Sequence, residues 1–233
     1  MFPVCRLLAL AGLLGLLAPV LRAEDMQMWH WWTNEIGINK KAFVIVHSQF
    51  RTKRPIGEFL QGRWGPILMY SPKPRLYLVG GYYYRREPAP RQPGTGDSHR
   101  YFGGMQNYFY LGGDEKPKYF LESRILLERF QGGPEGTLTD YTRLRYRSRI
   151  SLYGKKVSPL LGYEVFAWRN GLWANRPHAG IRWIPSPRVM LDIGYYWDGR
   201  RPGAGTPRHL IFTNLLLKLR KVEDPDVPNR PTF

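Results

Sequence analysis

The chain predicts an all-β fold, an antiparallel up-and-down β-barrel of ten to twelve strands of the type that spans bacterial outer membranes. Three observations predict it. Apolar and polar residues alternate in stretches of about 10 to 14 residues, which is the period of a strand with two different faces. Past the first two dozen residues no segment has the periodicity of an amphipathic helix. Short turns alternate with long Gly- and Pro-rich connections, as they do where tight periplasmic turns and long outer loops occupy opposite rims of a barrel.

Residues 1–23 stand apart from this pattern. They hold one early basic residue, Arg6, an apolar run over 7–20, and Leu21-Arg22-Ala23 ahead of the acidic pair Glu24-Asp25. This layout predicts a secretory signal peptide cleaved near Ala23. A membrane-anchoring helix needs roughly 18 or more apolar residues, and only about 14 precede Arg22. The single cysteine, Cys5, would leave with the leader, so the mature chain has no thiol for a disulfide, a thiolate metal site or a nucleophile. Residues 24–221 are read as one barrel domain and 222–233 as a Pro-rich tail.

Eleven stretches carry the alternation. In order, 28–39 is followed by the short Asn39-Lys40-Lys41 connection and 42–51; 59–70 by Ser71-Pro72-Lys73-Pro74 and 76–85; then a long connection over 87–97 leads to 100–111. Next, 119–130 reaches 141–153 through the long segment 131–139, and Gly154-Lys155-Lys156 opens 157–168. Finally, 176–184 turns at Pro185-Ser186-Pro187 into 189–197, and the long segment 198–207 leads to 209–220. Eleven is an odd number, whereas single-chain bacterial barrels normally have an even one. Counted back from the carboxyl end, the first stretch also begins on the long-loop rim, an awkward start for a chain arriving from the periplasm. Either the count is off by one or the first stretch is no ordinary wall strand.

Because residues i and i+2 share a face of a strand, parity separates the two sides of the wall. In 141–153 the odd positions carry Arg143, Arg145, Arg147 and Arg149, and the even ones Leu144, Tyr146, Ile150 and Leu152. Leu121, Ile125 and Leu127 lie opposite Glu122, Arg124 and Glu128; Val189, Leu191, Ile193, Tyr195 and Trp197 lie opposite Asp192, Gly194 and Tyr196. The last stretch sets Ile211, Leu215, Leu217 and Leu219 against Asn214, Lys218 and Arg220. Parity alone leaves two assignments open: apolar face to lipid with charges inside, or apolar face inward as in a soluble, ligand-binding periplasmic barrel. Strand length, loop alternation and the aromatic residues near strand ends (Trp29, Trp32, Tyr70, Trp168, Trp183 and Trp197) favour lipid.

Several of these pieces, taken in order, resemble a family of exported Gram-negative proteins known only as domain of unknown function 2490 and regarded as outer-membrane-barrel-like. They are Leu121-Glu122-Ser123-Arg124, the run from Arg143 to Arg147, Tyr163-Glu164-Val165-Phe166, Asn175-Arg176 followed by Gly180, Ile193-Gly194-Tyr195, and His209-Leu210. The resemblance implies a fold and a compartment, the cell outer membrane, and brings no activity with it. One departure is the tail after the last stretch, which moves the terminal aromatic expected on a final barrel strand out to Phe233.

Candidate functional residues follow from the charged face. Glu122, Arg124, Glu128, the ladder Arg143, Arg145, Arg147 and Arg149, and Glu164 share one side of neighbouring stretches, joined by Arg176, Arg182 and Asp192 farther along. Opposite charges across adjacent strands can pair, giving either a closed barrel stiffened by salt bridges or, from the excess of arginine, a weak anion pore. Removing Arg6 and Arg22 leaves 33 of the 35 Lys and Arg against 18 Asp and Glu, a formal charge of +15. An exported chain has little access to nucleic acid, so outer-membrane lipids and anionic solutes are the expected partners. Aromatic residues at 15% and hydrophobic residues at 43% exclude a disordered chain.

Enzymatic and cofactor chemistry find little support. The five histidines, His30, His47, His99, His178 and His209, are scattered singly; His47 and Ser48 are sequence neighbours that point to opposite faces; and His178 shares its face with Arg176 and Arg182, a poor setting for a general base. No histidine pair has metal-ligand spacing, and Gly94-Thr95-Gly96 and Gly203-Ala204-Gly205 lie in Pro-rich loops with no following helix to hold a phosphate. The expectation is a non-enzymatic barrel without cofactor or metal, with a lipid hydrolase as the reading from a different class.

Overall fold

A computed structural model describes residues 26–53, 58–88, 95–113, 117–133, 140–168, 171–200 and 207–220. The leader expected over 1–23 and the tail over 222–233 lie outside the described residues, as do Cys5 and Phe233. Eleven strands follow one another: β1 (Met26–Gly37), β2 (Ala42–Lys53), β3 (Glu58–Lys73), β4 (Leu76–Pro88), β5 (Thr95–Leu111), β6 (Tyr119–Gly132), β7 (Tyr141–Leu152), β8 (Val157–Trp168), β9 (Gly171–Ser186), β10 (Val189–Arg200) and β11 (Arg208–Arg220). Each pairs with its sequence neighbour, and β1 pairs with β11 to close the barrel. Among the described residues there is no helix.

The odd strand number resolves in the closing pair. Ten of the eleven neighbour pairs are antiparallel, but β1 runs parallel to β11, with Met26 beside His209 and Trp32 beside Leu215. The expected antiparallel barrel of ten to twelve strands therefore holds, with one parallel pair where it closes. An odd number of alternating strands necessarily brings the first and last into the same direction. The first stretch begins on the long-loop rim, as the loop lengths require, and is an ordinary wall strand apart from a bulge between Glu35 and Ile36.

Several strands outrun their sequence limits. β5 begins at Thr95 and β9 at Gly171, each five residues before the expected stretch (100 less 95, 176 less 171). Ladder partners on β4 and β8 hold these glycine-containing ends extended, with Glu87 opposite Gly96 and Trp168 opposite Gly171. Pairing thus overrides weak local propensity. The β3–β4 turn closes on Lys73 opposite Leu76, with Arg75 at a φ of 63°.

Side chains sort by parity around the whole wall. Outward positions carry exposed apolar and aromatic residues on every strand, among them Trp32, Leu68, Leu78, Ile125, Leu144, Leu161, Ile181, Ile193 and Leu219. Of the aromatics expected near strand ends, Trp32, Tyr70, Trp183 and Trp197 do face outward. Trp29 does not: it is buried inside, 4% exposed, because it has the parity of Thr33 and Glu35 on β1 and packs there under Arg51. Trp168 has the inward parity of Glu164 and Phe166 and lines the interior with them.

An eleven-strand barrel is wider than the eight-strand barrels whose interior ordinary side chains just fill, so this interior is occupied by large ones. Arg149, Tyr77, Tyr108, Tyr196 and Phe166 are among the largest fully buried side chains. Toward the rim of the short turns, β2 to β6 contribute an apolar cluster including Phe43, Ile45, Ile67, Met69, Tyr77 and Phe120, each worth roughly 1.5–3 kcal/mol on burial. Inward glycines make room for the bulk. A Cβ on Gly81 would meet the Phe102 ring at 2.4 Å, and one on Gly162 would meet His178 Nε2 at 2.3 Å.

Candidate functional site

The charged candidates all arrive inside the barrel because β6 to β10 are in register. Glu122 lies across from Arg149, Arg124 from Arg147, and Glu128 from Arg143 on the β6–β7 ladder. Arg147 faces Glu164 across β7–β8, Glu164 faces Arg176 across β8–β9, and Arg182 faces Asp192 across β9–β10. A slip of one residue would turn every one of these side chains to the other face, so the ladder of charges specifies the register of this half of the wall.

Two clusters form. Toward the short-turn rim, Glu122 accepts from Arg149 Nη2 at 2.6 Å and from Arg182 Nη1 at 3.2 Å, with Arg147 at 3.8 Å. Arg182 forks onto Asp192 with its Nε and Nη2 at 2.8 and 2.9 Å, and Arg149 approaches the same carboxylate at 3.7 Å. Nearer the long-loop rim, Glu128 is shared by Arg100, Arg143 at 2.5 Å and Arg145 at 3.5 Å. Glu164 accepts from Arg145 and from Arg176 at 2.8 Å, and Arg176 also reaches Asp198 at 2.9 Å. Glu122, Glu128, Glu164 and Asp192 are all buried. Removing two charges from water costs several kcal/mol per ion, and close geometry with several donors per carboxylate offsets that cost.

At the long-loop rim the interior opens into a cup of about 290 Å³. Eight arginines and only three carboxylates line it, with seven aromatic side chains between them. The aromatics carry the guanidinium groups on their faces: Arg51 sits 3.8 Å from the centroid of Trp29, Arg63 4.9 Å from Tyr83, and Arg143 lies between Phe130 and Phe166 at 4.8 and 4.6 Å. Such stacking offsets part of the desolvation of a cation.

Arg51, Arg63, Arg85, Glu87, Arg100 and Asp198 belong to this site and are missing from the sequence-derived set. The alternation on β2 and β4 is weak, since Phe43, Ile45, Val44 and Val46 put apolar residues on both faces of β2. One signal was available: Arg51, Gln49 and His47 share parity, as do Gln61 and Arg63 on β3.

The histidines do not assemble a catalytic constellation among the described residues. His47 is buried and bonds Thr33 Oγ1 at 3.0 Å through Nδ1, while Ser48 points outward. His30 bonds Thr213 at 2.9 Å, His99 bonds Tyr82 at 2.7 Å, and His209 bonds Tyr195 at 2.5 Å. No group of three or more His, Cys, Asp or Glu among the described residues is placed to hold a metal ion.

With this geometry in place, the family can be stated. The model of a family described as protein of unknown function (DUF2490) matches residues 26–205, from the first strand to beyond the tenth. The chain belongs to this family. No curated protein matches the chain in sequence. All eleven predicted charge-network residues of this DUF2490 barrel fall within the matched segment, whereas β11, which closes the barrel against β1, lies beyond it.

Proposed function

We propose that this DUF2490 protein is an exported outer-membrane β-barrel, non-enzymatic and closed to through-flow, whose paired charges act as a structural plug. The observation that carries the reading is the sorting of the wall: exposed apolar side chains all round the outside and buried ion pairs within. Water would leave that outer surface unsatisfied, because soluble monomers seldom expose contiguous apolar patches beyond a few hundred Å², while hydrocarbon matches it. Strands of 12 to 17 residues also suit a tilted crossing of a bilayer core. Closure of the interior is supported by the packing between the two rims, where Arg149, Asp192, Asn214, Tyr77 and Tyr108 are almost completely buried. A weak anion pore would need a solvated path through that layer.

Fractionation of cells expressing the full-length chain tests the compartment. The protein is expected in the outer-membrane fraction, with a mobility in detergent gels that shifts on boiling. Release with the soluble periplasmic proteins would overturn the reading. Reconstituted into planar bilayers, the barrel is expected to give no stepwise conductance, and Arg145→Glu is expected to leave it silent. Anion-selective steps in the wild type would replace the plug with a pore.

A further inference from the structure

The cup at the long-loop rim contains cations that the protein's own carboxylates do not satisfy. Arg100, Arg143, Arg145 and Arg176 are matched by Glu128, Glu164 and Asp198, and Arg85 by Glu87 at 3.0 Å. Arg51 and Arg63 have no such partner among the described residues, and the Nε–H groups of Arg51, Arg63 and Arg100 are buried without an acceptor there. The ladder makes this arrangement costly. Arg63 lies directly across from Arg85 on β3–β4, and Arg51 and Arg63 are diagonal neighbours through the Arg51–Gln61 and Gln49–Arg63 pairs on β2–β3. Like charges directly opposite each other destabilise a sheet, and buried donors without acceptors cost free energy as well.

Beneath the cup, sharing Trp31, Arg63, Tyr83, Arg100 and Arg145 with it, is a chamber of about 20 Å³, room for roughly one water-sized atom. His47, Arg124 and Arg147 complete its lining, and no carboxylate does. The indole N–H of Trp31 and Nε2 of His47 are buried there without a partner. His47 Nδ1 and the Thr33 hydroxyl share a hydrogen bond of 3.0 Å, and in the tautomer in which the hydroxyl donates it the ring N–H lies on Nε2. The chamber thus sets the Trp31 indole N–H and the arginines, joined by His47 Nε2–H in that tautomer, around a space for one acceptor atom.

We propose that the cup and chamber form one binding site for a phosphate-type oxyanion, held by Arg51, Arg63 and Arg100 with one oxygen directed down toward Trp31 and His47. Donors converge from β1, β2, β3 and β5, along one arc of the wall that spans β1 to β5. A tetrahedral oxyanion presents acceptor oxygens in that many directions, whereas a carboxylate presents two in one plane, and guanidinium forks fit phosphate oxygens in pairs. The aromatic faces keep the guanidiniums oriented while the site is empty. At about 290 Å³ the cup lies at the small end of ligand pockets, the size of a head group rather than an acyl chain. The phosphate can come from a soluble molecule or from a phospholipid head group, and both offer the same chemistry.

The test uses the purified mature chain in detergent, with inorganic pyrophosphate as the soluble probe and short-chain phosphatidic acid in phosphatidylcholine micelles as the lipid probe. Pyrophosphate is expected to bind the wild type, and the double variant Arg51→Gln, Arg63→Gln to bind it at least about tenfold more weakly. Arg129→Gln removes an exposed cation outside the site and is expected to bind as the wild type does. A second measurement needs no variant: pyrophosphate should protect Arg51 and Arg63, but not Arg129, from phenylglyoxal. Binding of phosphatidic acid alone, lost in the double variant, supports the site and identifies its source as lipid. The proposal is overturned if neither probe binds, if Arg129→Gln weakens binding as much as the double variant, or if the probe that binds does not protect Arg51 and Arg63 from phenylglyoxal. None of these outcomes depends on the compartment found by fractionation, so the two readings fail separately.

Discussion

Arginine does different work on the two sides of the barrel interior. On β6 to β10, Arg149 and Arg182 are held by Glu122 and Asp192 at hydrogen-bonding distance, each carboxylate being shared by at least two arginines. On β2 and β3, Arg51 and Arg63 rest on Trp29 and Tyr83; they are diagonal neighbours, and Arg63 lies directly across from Arg85 on β4. In the first arrangement the protein's own carboxylates hold the cations, and its removal should cost stability. The second is under electrostatic tension, and its removal should cost binding.

The largest effect should come from breaking the matched side. Glu122→Gln leaves Arg149 and Arg182 short of a buried counter-charge, and truncating one member of such a network costs about 3–5 kcal/mol. A loss of that size is expected in the unfolding free energy of the reconstituted barrel measured by urea titration, and an unchanged value would mean that water already reaches the cluster. Next in size is a change that asks what shields both sides. Ile193 is exposed near the centre of β10, and Ile193→Lys should cost about 2–4 kcal/mol in a bilayer. A cost near zero in the same assay would count against lipid on that face. The smallest effect should come from the tense side: Arg63→Gln relieves the opposition to Arg85 and should leave stability unchanged or raise it by a few tenths of a kcal/mol. A loss of several kcal/mol would make Arg63 a structural residue after all.

The matched side was legible in the sequence and the tense side was not, for one reason. On β6 and β7 charged and aliphatic residues largely separate by parity, with Leu126 inward and Arg129 outward as exceptions, so Glu122, Arg124, Glu128 and the four ladder arginines declare a common face before any register is known. On β2 the apolar residues occupy both faces, and the shared parity of His47, Gln49 and Arg51 is a weak signal beside the burial of Phe43, Ile45 and His47. Trp29 shows the limit in another way. Its place near a strand end suggests a girdle at a membrane surface, but parity puts it inside, where it supports Arg51. The parallel closure was foreshadowed by the odd count, though composition cannot distinguish a missing strand from a seam of unlike direction.

That seam also sets the order in which the cylinder can be made. Every other junction joins strands adjacent in the chain, so each can form as soon as its hairpin exists. The junction of Met26 with His209 must wait until the chain between them is folded, and loop-closure entropy makes such a contact late. Parallel pairing is also slightly weaker per residue than antiparallel pairing. The seam is thus the last joint to close and the first to part, and since its two strands run the same way, the chain enters the wall at one rim and leaves it at the other.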